Sequence, residues 1–171
     1  MNRSVIILGS ARGDGETFLL ANYVAEQLEI PLIKLNEKNF GDYDYNYQNQ
    51  DDDFFPLISE IIENYDTLIF ATPVYWYSMS AIMKRFFDRF SDLIRIHKET
   101  GRQLRGKRIA VISSASEHEL KDGFLMPFQE SAKYLGMTYT SNVHGWVENG
   151  ALPEPVIARL NSFCSRFKEE I

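Results

Sequence analysis

Gly9-Ser10-Ala11-Arg12-Gly13-Asp14-Gly15-Glu16-Thr17 follows a short apolar run and leads straight into an amphipathic stripe. That order of residue types suits an anion. A helix start offers unpaired N–H groups and a partial positive charge, and glycines let the backbone come close to a ligand. Ser10 and Thr17 add hydroxyl donors, and Arg12 adds a guanidinium fork for a phosphate dianion. The spacing also excludes several phosphate chemistries. Aligned on Gly15-Glu16-Thr17, a triphosphate loop would need lysine at Glu16 and glycine at Ser10, and a carboxylate there repels β- and γ-phosphates. The dinucleotide pattern GxGxxG fails because Gly13 and Gly15 are followed by Phe18. A phosphorelay receiver would need acids after the first strand, where Gly9 and Ser10 stand. One terminal phosphomonoester fits best.

A second group is Pro73-Val74-Tyr75-Trp76-Tyr77-Ser78. Consecutive aromatics beyond the end of a buried strand are read as a loop that forms a flat, partly exposed wall for a planar heterocycle. An aromatic protein interface is the alternative. A third group, Ser113-Ser114-Ala115-Ser116, is small and polar, and would let a ring edge reach backbone groups.

The rest of the sequence must bring these groups together. Residues 4–9, 67–72 and 108–113 are continuous apolar runs of the kind found in strands buried on both faces, and 31–35 and 137–147 make five. Helices are expected over 17–28 (Leu20, Val24, Leu28), along the stripe from Phe54 to Tyr65, from Met79 to His97, over 127–135 with Gly136 as its stop, and from about Pro155 onward. Asp51, Asp52 and Asp53 are read as the acidic start of the second helix. Strand–helix repeats imply an α/β, three-layer flavodoxin-like fold with a five-stranded parallel sheet in the order 2-1-3-4-5, and residues 1–171 are expected to form one domain. In such sheets ligands bind beyond the carboxyl ends of the strands, where all three groups fall.

Gly9-Ser10-x-Arg12 with Thr17, Ala71-Thr72-Pro73-Val74-Tyr75-Trp76, and Met83-Lys84-x-Phe86-x-Asp88-Arg89 resemble the flavodoxin-like NAD(P)H-dependent FMN reductases over nearly the whole chain. The resemblance implies that Ser10, Arg12 and Thr17, with the amides of Gly15 and Glu16, hold the FMN phosphate. It implies that Pro73, Val74, Tyr75 and Trp76 line the isoalloxazine, with Ser114 and Ala115 nearby. It also implies NAD(P)H as co-substrate and a quinone, free flavin or similar acceptor, with the cofactor carrying the chemistry and no catalytic side chain required. Related iron–sulfur flavoproteins carry a cysteine cluster between the second strand and second helix; here residues 36–53 are rich in Tyr, Asn and Asp and contain no cysteine. A flavodoxin-type electron carrier or a flavin-binding regulatory protein is the alternative. Carriers resemble a run of threonines in the phosphate loop, where Arg12 takes part here.

The other reactive residue types carry plainer readings. His97 is read as a helix-end residue, His118 as part of a solvated charged segment, and His144 has no partner by spacing; the three make no metal motif. Cys164 falls on an apolar stripe and reads as a small buried hydrophobe. With 18 Lys+Arg against 24 Asp+Glu, the net charge of −6 argues against nucleic acid or an anionic membrane as partner. One cysteine cannot form an internal disulfide, and the apolar run Val5 to Leu8 is too short for a signal or span, so a cytoplasmic protein is expected. Finally, Phe86, Phe87 and Phe90 cannot all face one sheet from one helix. The surplus must face another helix, the flavin edge or a second subunit; a homodimer with this helix in its contact is expected, with Lys84, Arg85, Asp88, Arg89 and Asp92 as a polar rim and Lys84–Asp88 as an i, i+4 pair.

Overall fold

The computed structural model describes residues 3–169. The elements are β1 (Ser4–Leu8), α1 (Glu16–Leu28), β2 (Leu32–Lys34), a 3-10 turn (Leu35–Glu37), α2 (Phe54–Asn64), β3 (Thr67–Tyr75), β4 (Ser78–Met79), α3 (Ala81–Asp88), α4 (Phe90–Arg95), α5 (Lys98–Arg102), β5 (Arg108–Ser114), α6 (Met126–Leu135), β6 (Thr138–Gly145) and α7 (Glu154–Glu169). The sheet runs β2-β1-β3-β5-β6, parallel throughout, which is the expected order once the short antiparallel β4 is set aside.

The apolar runs are continuous because the central strands have two faces to fill. In β1, Val5 and Ile7 enter one apolar layer while Ile6 and Leu8 enter the other. Leu68 and Phe70 alternate with Ile69 and Ala71 in β3, and Ile109 and Val111 with Ala110 and Ile112 in β5. The first layer is closed by α2, α3, α4 and α6, the second by α1 and α7. Gly9 is needed at the end of β1: a Cβ there would stand 2.7 Å from Met83 Cε and 2.8 Å from Met83 Cβ, so α3 seats against bare backbone.

Two sequence expectations are corrected. The group from Pro73 is not a loop: β3 continues through Tyr75, because Val74 and Tyr75 pair with Met79 and Ser78 of β4 in a hairpin. The stripe from Met79 to His97 is not one helix either. It breaks at Arg89, between α3 and α4, where the Asp92 amide donates to the Arg89 carbonyl, one residue short of α-helical spacing. Arg89 and Asp92 are buried rather than placed on a polar rim. The surplus phenylalanines are absorbed within the chain. Phe86 packs edge-on to Phe40 and Phe54, and Phe87 against Phe70 of β3 and Phe128 of α6. The Lys84–Asp88 pair forms as expected, at 2.5 Å.

Candidate functional site

The first loop is built to leave donors uncommitted. Gly15 is the N-cap of α1, extended at φ −80° and ψ −168°, and brings no side-chain cap to the first-turn amides. A Cβ at Gly15 would find only Arg12 near it, Nε at 3.6 Å and Cζ at 3.8 Å, so the guanidinium lies beside the helix start. Among the described residues, neither Arg12 nor the Ser10 hydroxyl makes a hydrogen bond or ion pair. The Thr17 hydroxyl lies 2.6 Å from that of Ser114 at the end of β5. One of the two donates, and the other keeps its own proton for a ligand. Asp14 and Glu16 are exposed. Amides, hydroxyls and one guanidinium form a donor set that fits a phosphomonoester.

Beside this loop lies a cleft of about 630 Å³. Val74, Tyr75, Trp76 and Tyr77 form one wall; Ala115, Ser116, Glu117 and Leu120, with His144, line the other. Trp76 and Tyr77 are the two central residues of the β3–β4 hairpin turn, with φ of 49° and 65°. Such turns favour Asn-Gly, and bulky residues in that region cost about 1–3 kcal/mol each. The hairpin carries its aromatic side chains out of the core: Tyr75 is 52% exposed, Trp76 94% and Tyr77 69%. An aromatic cleft beside a phosphate-ready loop fits a phosphorylated planar ring.

Ser80, which the motifs did not single out, locks hairpin and first loop together. Its hydroxyl donates to the Gly9 carbonyl (2.6 Å) and caps α3 by accepting from the Met83 amide (3.2 Å), while its own amide donates to Thr72 Oγ1 (3.0 Å). The available signal was a serine immediately before a helical stripe.

The structure thus gathers Val74, Tyr75, Trp76 and Ala115 in one cleft and joins Thr17 to Ser114. Pro73 is buried in β3, paired in register with Ser114, and neither lines the cleft. The Ala115 amide is committed to the Gly145 carbonyl at 3.3 Å. His97 stands just past the end of α4, its amide donating to the Asp92 carbonyl at 2.9 Å, and at the N-cap position of α5, while its ring stacks on Phe55 with centroids 3.6 Å apart. His118 stacks on Trp146 at 3.8 Å, and Arg159 binds the His118 carbonyl and the Glu119 carboxylate. His144 has partners that spacing did not reveal, Ser113 and Glu117. Burial pushes the Cys164 thiol up to about 11, so it stays protonated and unreactive.

The family model described as NADPH-dependent FMN reductase matches residues 2–150. Among named relatives, a candidate NAD(P)H-dependent FMN-containing oxidoreductase of Bacillus subtilis strain 168, YwqN, is 26% identical over 150 residues, 82% of each chain. The NADPH azoreductase of Bacillus sp. strain OY1-2 is 29% identical over 94 residues, 55% of this chain and 53% of that protein. Among solved structures, the Trp repressor binding protein of Bacillus subtilis is similar at TM-score 0.71 and 25% identity, covering 95% of this chain and 96% of that one. General stress protein 14 of Treponema denticola, solved in complex with FMN, shares the fold at TM-score 0.68 and 17% identity over 98% of each chain.

Proposed function

This chain belongs to the NADPH-dependent FMN reductase family, and from that premise we propose that it is an FMN-dependent oxidoreductase serving NAD(P)H and a quinone, free flavin or similar acceptor. The observation that carries the reading is the 2.6 Å Thr17–Ser114 bond, which ties the donor-rich helix start to the strand end that opens into the aromatic cleft. FMN, when bound, would supply the redox chemistry between the nicotinamide and the acceptor. Ser10, Arg12 and Thr17 with the amides of Gly15 and Glu16 would hold the phosphate. Val74, Tyr75, Trp76 and Ala115 would flank the ring, with Pro73 and Ser114 supporting them from the paired strand ends. The aromatic wall would offer flat substrates a surface to stack on, and no side chain has to act as a base.

Residues 1–171 are proposed to act as one domain, working in the cytoplasm as a homodimer. The lone buried Cys164 is in keeping with a reducing compartment, and no helix among the described residues is long and apolar enough to cross a membrane. With the α3 phenylalanines packed internally, support for the dimer passes to the exposed Tyr75, Trp76 and Tyr77, a patch that monomers seldom leave open. Sedimentation equilibrium at micromolar concentration tests it; a single-chain mass throughout rejects the dimer. For the activity, the FMN-loaded protein is titrated anaerobically with NADH and with NADPH. Bleaching of the flavin band by either is expected, and an unchanged spectrum with both overturns the enzyme class.

A further inference from the structure

The 115–120 wall of the cleft has almost no regular structure, yet it hangs from the last strand and helix by side chains that the redox chemistry does not use. At its centre is His144, 6% exposed, at the end of β6. Its Nε2 is 2.9 Å from the Glu117 carbonyl, and its Nδ1 is 2.9 Å from the Ser113 hydroxyl. A carbonyl only accepts, so Nε2 carries the proton and donates; in the neutral ring Nδ1 then accepts from Ser113. Burial pulls the imidazole below its usual range, partly opposed by the bond to Glu117, and the ring is neutral near pH 7. The charged groups around it are Arg159 from α7 and Glu119 on the loop itself, which pair with each other at 2.7 Å.

We infer that His144 is a positioning residue of the cleft: by donating from Nε2 to the Glu117 carbonyl, with Ser113 only orienting the ring, it ties the 115–120 wall to the end of β6 and sets its separation from the Tyr75–Trp76–Tyr77 wall, and so the thickness of the flat substrate admitted. The assignment of flat redox substrates rests on the proposed function above; the anchoring of the wall does not.

Two substitutions separate the bonds. His144→Gln carries an amide N–H to the Nε2 position and keeps the Glu117 bond, whereas His144→Asn reaches only the Nδ1 position and keeps the Ser113 bond. Hydrogen exchange of the 115–121 amides in the full chain, with and without FMN, reads the wall directly. We expect about tenfold faster exchange in His144→Asn and rates within about threefold of wild type in His144→Gln. In the FMN-loaded enzyme, KM for a benzoquinone rises about tenfold in the Asn variant, while kcat and the FMN dissociation constant stay within about threefold. Wild-type exchange and KM in the Asn variant overturn the proposal, as does equal damage in the two variants, which would mark general packing. If the Asn variant does not fold, the Gln variant decides alone: exchange or KM displaced beyond about threefold overturns the inference. A wild-type flavin that neither nicotinamide reduces removes the functional reading, while the exchange rates still decide the role of His144.

Discussion

Two polar loops of this molecule are held in opposite ways. Residues 9–16 keep the Ser10 hydroxyl and the Arg12 guanidinium uncommitted among the described residues, and the Gly15 cap spends no side chain on the helix start. Residues 39–53 have their polar groups consumed. Arg89, 1% exposed, donates to the carbonyls of Gly41 (3.1 Å) and Asn49 (2.9 Å), to Asp52 (2.5 Å) and to Asp92 (2.7 Å), with its guanidinium 4.7 Å over the Phe54 ring. Asp52 accepts in addition from the amides of Gly41 and Phe54, both at 2.9 Å. A loop gathered around a buried guanidinium in this way is a structural part. A loop of similar polarity whose donors make no bond within the chain keeps them open to a ligand, and the exposed Arg12 exchanges water for a charge-assisted bond when one arrives.

Removing the clamp should give the largest effect. Arg89→Met leaves Asp52 and Asp92 uncompensated in a nearly dry site and is expected to cost about 3–5 kcal/mol, read as a lowered midpoint in urea unfolding. The same clamp has a pH signature. Burial pushes the Asp52 carboxyl up, but the Arg89 bond and the Gly41 and Phe54 amides more than offset it and hold it below the ordinary 3.8. The folded chain therefore keeps Asp52 ionised where the unfolded chain takes up a proton. Its contribution is complete above pH 3.8 and drains as the pH falls below that, and the Arg89→Met variant should lose this slope in acid unfolding.

The first loop should behave in the reverse manner. Arg12→Ala is expected to weaken FMN by roughly ten- to a hundredfold, from a charge-assisted bond worth about 1.5–3 kcal/mol, with no change in the stability of the FMN-free chain. Equal flavin affinities would dissolve the contrast between the loops. The hairpin sharpens it further: Trp76→Asn with Tyr77→Gly should stabilise the chain by about 2–6 kcal/mol, because those residues suit positive φ, while raising KM for quinone. Unchanged stability would mean the turn carries no strain. The smallest effect is expected from the half-exposed Lys84–Asp88 pair, where Lys84→Ala should move stability by no more than about 0.5 kcal/mol in thermal unfolding.

Much of the site could be read in the sequence because its signals are local. The glycine-capped helix start, the hydroxyls at Ser10 and Thr17 and the aromatics at 75–77 each depend on a few neighbouring residues. That Pro73 stays buried in β3 and off the cleft is not legible at Pro73, because the hairpin pairing that carries β3 past it, to Val74 and Tyr75, depends on Ser78 and Met79. His144 carries no local signal, since its partners lie 31 and 27 residues away, beyond any spacing rule.

The sequence by itself determined the layers and the strand order. Alternation of apolar residues in β1, β3 and β5 demands two covered faces, and repeated strand–helix units leave few right-handed ways to cover them. Tertiary structure alone decided where charges went. Arg89 and Asp92 follow the same three- and four-residue spacing as Lys84 and Asp88, so periodicity places all four on one polar face. Only when the 39–53 loop closes over α3 does Arg89 meet Asp52 and the carbonyls of Gly41 and Asn49, and the helix breaks there to let it. Helical spacing records which residues share a face. Whether a charge on that face meets water or a buried partner depends on chain from elsewhere, and burial without a partner would be prohibitive.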